Sequence, residues 1–160
     1  MPCNGNGAGS GMEFKMEAEL PSTPVQVWPV MLDIGRIASC IPGCEQIEER
    51  EKLKLYGAVM KQKIGPFKLE VPAEITVLEY REPRFVRARA FGKDKITGTT
   101  LDVILEVQLA PSDTGSRLGV NATLQVAGRL ASLGYSIIKK KAEENFAQFE
   151  ARFRKELETS

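Results

Sequence analysis

Cys40 and Cys44 are separated by three residues, across Pro42 and Gly43. A redox pair needs the CxxC spacing, and two thiols cannot complete the four-ligand shell of a structural zinc site. The alternative role is that of small buried side chains flanking a turn, the usual behaviour of a free cysteine. Asp102 and Glu106 offer two carboxylates, but they share a strand face with Gln108, and no base or nucleophile accompanies them. A solvated face is the expectation there. GRLASLG, residues 128–134, has neither the GxGxxG spacing nor the Gly-Lys-Ser of a phosphate loop. The chain also contains no histidine, the commonest neutral-pH general base and side-chain metal ligand. Together these readings point to no catalytic residue, no metal and no cofactor, and hence to a protein that is not an enzyme.

Charge narrows the partners. Lys plus Arg is 22 and Asp plus Glu is 21, a formal net charge of +1, so the overall field does not steer the protein toward nucleic acid. Arg87, Arg89, Lys61 and Lys63 alternate with apolar neighbours and read as exterior strand positions. The run Lys139 to Lys141 lies on a helix and offers peripheral contact with a membrane surface. No apolar run approaches the roughly 18–20 residues that cross a bilayer. With no secretory signal and only three cysteines, the expected location is the cytoplasm, extending to the inner face of the membrane. The sequon at Asn121 is then a chance match.

The elements that would position a site follow from periodicity. Residues 1–11, nearly all Gly, Asn, Ser and Ala, read as a disordered tail, and residues 12–160 as one domain. Met12, Phe14, Met16, Ala18 and Leu20 alternate with charged residues as a strand does. Ser22 or Thr23 then caps a short helix with Pro24 in its first turn, and Asp33 caps a second, which ends before Pro42 and Gly43. From about Glu45 to Val126 the chain reads as six strands, with turns at Gly65-Pro66, Glu82-Pro83, Gly92 to Asp94 and Pro111 to Gly115. After Gly128 an apolar stripe of helical period predicts a helix of roughly thirty residues, with Gly134 on its stripe. A helix that long on a domain this small must lie across the whole sheet. The expected fold class is α+β, an antiparallel meander covered by a C-terminal helix.

The motifs IPGCE (residues 41–45), KIGPF (residues 63–67) and VAGRLASLG (residues 126–134) closely resemble the carbon monoxide dehydrogenase subunit family CoxG, from about Met12 to Phe153. That resemblance implies the helix-grip fold shared with START-like carriers (the SRPBCC superfamily). In this fold a curved seven-stranded antiparallel sheet wraps a long C-terminal helix, and two short helices follow the first strand. It also implies an accessory to a molybdenum-containing carbon monoxide dehydrogenase or a related membrane-linked oxidoreductase. Its partners would be that enzyme or its assembly factors and an apolar small molecule of lipid or quinone character.

Opposing apolar positions to charges on each strand selects the inward residues. These are Tyr56, Met60, Phe67, Leu69, Leu101, Val103 and Leu105 on the sheet, and Leu130, Leu133, Gly134, Ile137 and Phe146 after it. Ile34, Ile37 and Ile41 would form a lid at one end. Ala58, Ala88, Ala90, Ala122 and Gly134 are small, so one helix cannot fill a curved sheet and room for a ligand remains. Tyr56, Gln62, Thr97 and Thr99 are the candidate polar anchors. The leading reading is a non-catalytic carrier. The second is an interaction or maturation factor with a filled core, and a small-molecule enzyme ranks last.

Overall fold

Phe14, Met16, Ala18 and Leu20 alternate with charged residues, so one face of the segment is driven out of water while the other stays solvated. A strand satisfies both demands. The computed structural model, which describes residues 11–158, places this strand, β1, at Gly11–Leu20. The expected tail falls almost entirely on residues 1–10, outside the described residues; Gly11 already belongs to β1, opposite Gln125.

Helix α1 (Pro24–Leu32) begins at a reciprocal cap. The Thr23 hydroxyl accepts from the Gln26 backbone N–H, and the Gln26 side chain accepts from the Thr23 N–H at 2.9 Å. Such a cap contributes about 1 kcal/mol. Helix α2 (Ile34–Cys40) is capped by Asp33, whose carboxylate accepts from the Arg36 N–H. Strands β2 (Cys44–Glu51), β3 (Leu55–Ile64), β4 (Phe67–Arg81), β5 (Phe85–Lys93), β6 (Thr100–Ser112) and β7 (Gly115–Ala127) then run as an antiparallel meander. β1 closes against β7, giving a seven-stranded sheet in the order β1-β7-β6-β5-β4-β3-β2.

Register carries matched residues across the inner face. Ala58, Ala73, Gly92, Leu101 and Val126 share one row; Tyr56, Ile75, Ala90, Val103 and Leu124 share the next. Small side chains thus collect on the central strands. At Gly92 a Cβ would stand 2.5 Å from Val71 Cγ1 and 2.6 Å from the Pro72 carbonyl oxygen, so no larger residue fits without moving β4.

The apolar stripe after Gly128 is not one helix. A 3-10 turn occupies Arg129–Leu133, the chain reverses at Gly134 (φ 85°, ψ 169°), and only then does helix α3 run from Tyr135 to Glu158, 24 residues. This corrects both the expected length and the placement of Gly134, which lies before the helix. Apolar spacing does not reveal the sign of φ, and glycine alone enters this region without strain. The helix phase changes with it. Ile138, Phe153 and Leu157 are buried and Ala142, Phe146 and Phe149 half-buried, whereas Ile137 turns to solvent with 47% of its surface exposed.

Two packed clusters sit at opposite ends of α3. One joins Val27, Val30 and Met31 of α1 to Leu109, Leu118, Phe153 and Leu157; the other joins Phe14, Ile64, Leu69 and Val126 to Leu130 and Ile138. Arg36 clips α2 to the end of α3, donating to the Glu156 carboxylate at 2.9 Å and to its carbonyl at 3.1 Å. The β5–β6 turn is organised by Asp94, only 2% exposed. Its carboxylate accepts from the N–H groups of Ile96 (2.8 Å), Thr97 (3.3 Å) and Glu70 (3.2 Å), tying the turn to β4.

Burial alone would raise the Asp94 carboxyl, but those three N–H donors outweigh it and hold the group below the ordinary aspartate value. A depressed folded-state value contributes stability above the unfolded-state value, and the contribution disappears as pH falls through the folded-state one. Asp94→Ala should therefore lower the unfolding free energy at pH 7 by about 2–3 kcal/mol, through donors left unpaired. The deficit relative to wild type should shrink in acid, as urea titrations across pH would show.

Candidate functional site

A candidate gap between the concave sheet and α3 would be lined by central-strand residues that keep part of their surface accessible. Ile75, Val77, Ala88, Ala90, Val103, Leu105 and Leu124 are not fully buried, although strands flank each of them and α3 spans above. Helix α3 makes its close approaches at β1, β3, α1 and α2, and the half-buried Phe146 and Phe149 pack against the cluster at its α1–α2 end. Phe149 stacks on Phe153 with ring centroids 5.5 Å apart, which fixes the floor of the gap at the α1–α2 end. An apolar surface that its own side chains leave uncovered, inside a fold and away from bulk solvent, suits an apolar molecule.

The expected lining divides into three groups. Met60, Leu101, Val103, Leu105 and Phe146 are half-buried, with Met60 and Leu101 against the Ile138 cluster, Phe146 against the Phe153 cluster and Leu105 against both. Leu69 and Leu130 are buried in the cluster at the Ile138 end, with Phe67 and Leu133 against it, so these four close that end. Ile34, Ile37 and Ile41 are half-buried on or beside α2, and Ile37 packs against the cluster at the opposite end. Gly134 and Ile137 do not join the lining. A Cβ on Gly134 would meet nothing within 4 Å, and Ile137 lies one position out of phase with the buried Ile138.

The polar anchors sort the same way. Tyr56 is 1% exposed, and its hydroxyl accepts from the Leu53 N–H at 2.7 Å, holding the β2–β3 turn. Thr97 and Thr99 bond to each other at 2.8 Å within the Asp94 turn and face no gap. Gln62 does reach the helix: its Nε2 donates to the Pro42 carbonyl at 2.6 Å, and its Oε1 accepts from Asn145 Nδ2 at 3.2 Å. This bridge joins the IPGCE turn, β3 and α3. Asn145 is not among the expected residues, and neither are Ile75, Val77, Leu124 and Phe149. Ile75 and Val77 carry the same period-two signal as β6, and Phe149 is three residues from Phe146 on one helix face.

Burial first, and then Glu156, raises the Cys40 thiol; burial and then Glu45 raise Cys44. Both therefore stay protonated at neutral pH and are poor nucleophiles. On the convex face, a cleft of about 460 Å³ is lined largely by charged side chains, and one of about 520 Å³ mixes Glu48, Arg50, Glu74, Lys93 and Lys95 with Val59, Pro72 and Phe91. Part of this charge is compensated by ion pairs, Arg87 with Glu106 and Arg50 with Glu74 between strands and Arg81 with Glu79 within β4.

A curved antiparallel sheet, paired short helices after its first strand and a long C-terminal helix define a helix-grip protein. Solved structures share this fold. A conserved protein from Geobacillus kaustophilus aligns with a TM-score of 0.80 at 22% identity, covering 94% of this chain and 95% of that one. A protein from Thermus thermophilus aligns at 0.68 and 16% identity, over 92% and 98% of the two chains. Ara h 8.0201 aligns at 0.65 and 15%, over 94% and 99%. Within the fold the chain belongs to a particular family: the model for the carbon monoxide dehydrogenase subunit family CoxG matches residues 17–158, most of its length. No curated protein matches it.

The placement of Gly134 has a measurable consequence. Gly134→Ala should cost about 1–3 kcal/mol by forcing a side chain to φ 85°. It should leave ligand uptake unchanged, since position 134 lies outside the gap. Chemical denaturation together with binding of an apolar fluorophore separates the two effects.

Proposed function

We propose that this protein is a non-catalytic carrier of an apolar small molecule of lipid or quinone character. It serves a carbon monoxide dehydrogenase-type oxidoreductase in the cytoplasm at the inner face of the membrane. The observation that carries this reading is the incompletely buried inner face of the central strands beneath α3. A filled core would have buried Ala88, Ala90 and Val103, as it buries Leu118 and Phe153 at the α1–α2 end. Membership in the CoxG family supports the accessory role, because the family's name ties it to a redox enzyme. The protonated thiols and the absence of histidine favour binding over chemistry.

Polarity tells what the occupant looks like. The walls are aliphatic and aromatic, so most of the molecule must be hydrocarbon or flat ring. The Gln62–Asn145 amide bridge supplies a polar feature beside α3 that a polar end of the occupant could approach.

Native mass spectrometry of freshly purified protein, followed by organic extraction, should yield a stoichiometric apolar compound. Ala90→Leu, which adds bulk to the central row, should reduce its occupancy about tenfold or more with the fold intact by circular dichroism. An interior that stays empty whatever the purification route, with retained binding to the oxidoreductase, would replace the carrier with a docking or maturation factor.

A further inference from the structure

The meander brings the β3–β4 turn, the β5–β6 turn and the segment between β7 and α3 to one end of the molecule. Contacts confirm the grouping. A Cβ on Gly65 would touch Leu133 at 3.5 Å, a Cβ on Gly128 would lie 2.5 Å from the Gly98 carbonyl oxygen, and Asp94 reaches the Glu70 N–H. Each segment contributes cations: Lys63 and Lys68 from the first, Lys93 and Lys95 from the second, Arg129, Lys139 and Lys140 from the third. All seven are exposed, and among the described residues none is in an ion pair, whereas the lysines and arginines of the convex face are mostly paired across strands.

Acids are scarce here. Residues 61–69 and 128–142 contain no Asp or Glu, and Asp94 is buried beneath its own N–H donors. The carboxylates around it are Glu13 on β1, Glu70 on β4, Glu143 and Glu144 a turn further along α3, Asp102 on β6, which pairs with Arg89, and Glu48 and Glu74, which share a cleft with Lys93 and Lys95 and pair with Arg50. Between the cations stand large apolar side chains in water: Ile96 at the tip of its turn with 91% of its surface exposed, Tyr135 with 47% and Ile137 with 47%. Tyr135 is held in place, its ring stacked on Phe14 at 5.8 Å and capped by the Lys139 ammonium at 5.8 Å.

We infer that this end is a docking surface for an anionic lipid bilayer, with Ile96, Tyr135 and Ile137 entering the headgroup region and the surrounding cations meeting lipid phosphates. Uncompensated cations interleaved with apolar and aromatic tips are what a charged interface selects. An acidic protein surface would use the cations but would leave a fully exposed isoleucine at a turn tip without purpose. The inference sharpens the membrane-side location proposed above and does not depend on what the chamber holds.

Sedimentation of the full chain with vesicles tests it. Vesicles of phosphatidylcholine with about one-third phosphatidylglycerol should bind the protein at low salt and release it near 0.5 M salt, as expected for screened charges. Pure phosphatidylcholine vesicles should bind it weakly. Lys95→Gln with Lys139→Gln should lower partitioning about 20-fold, at about fivefold per lysine. Ile96→Ser should lower it about fivefold with the charge unchanged. Lys52→Gln with Arg84→Gln, at the opposite end and with the same net charge, should bind as wild type. Failure of the folded wild-type protein to bind anionic vesicles overturns the proposal. So does equal loss in both double variants, or unchanged binding by Ile96→Ser, which would leave only an acidic-surface contact. Vesicle binding without an extractable ligand would remove the carrier and leave this surface standing.

Discussion

One helix cannot cover a curved seven-stranded sheet, and the rest of the structure is an answer to that mismatch. Helix α3 has 24 residues, about 36 Å of length, but a width of only about 10 Å. It is anchored at its ends, where Ile138 enters one packed cluster and Phe153 and Leu157 enter the other. Between the anchors the sheet offers Ala88 and Ala90 to the helix, and both stay half-buried. Larger residues there would add side-chain volume beneath α3, which the two alanines withhold.

The price of uncovered apolar surface is lost dispersion and hydrophobic energy, so the frame around the gap has to be held by other means. Helices α1 and α2 plug one end with aliphatic packing and the Arg36–Glu156 clip. At the other end the 3-10 turn drops Leu130 and Leu133 onto the β3–β4 turn, and Gly134 redirects the chain into α3. The Gln62 bridge ties the α2–β2 turn to the middle of α3. These restraints act on the rim, which is where a structure with an accommodating interior needs them.

Alternation makes the strands readable: Leu101 to Leu109 and Leu118 to Val126 show one wet and one dry face in sequence, and both lie in the sheet with the dry face toward the helix. Proline and glycine mark three of the hairpin turns close to where they fall, and Thr23 and Asp33 cap the two helices. Features set by backbone sign or by helix phase are hidden. GRLASLG has helical spacing, yet two positive φ values break it, and the helix start at Tyr135 exchanges Ile137 for Ile138. Thr97 and Thr99 resemble anchors only if a strand continues through them; in fact Asp94 folds that stretch into a turn. The half-buried strand positions of the candidate lining are legible for the same reason as the strands, and the rest depends on which strands lie at the centre of the sheet.

Net charge conceals an asymmetry that topology produces. A formal charge of +1 describes a chain whose acids and bases cancel in sum, and on the convex face they also cancel locally, as Arg89 meets Asp102 through two bonds of 2.9 and 2.7 Å. Cross-strand neighbours are set by register, so charges on the middle of strands find partners. Hairpin turns have no register beyond the last pair, and the lysines placed in or beside them remain uncompensated unless another turn supplies an acid. In an antiparallel meander, alternate turns fall at the same end. Lys63, Lys68, Lys93 and Lys95 therefore accumulate, and the entry to α3 adds Arg129, Lys139 and Lys140 to the same end. A sum over the chain averages this away, whereas among the described residues the cations gathered at that end are in no ion pair.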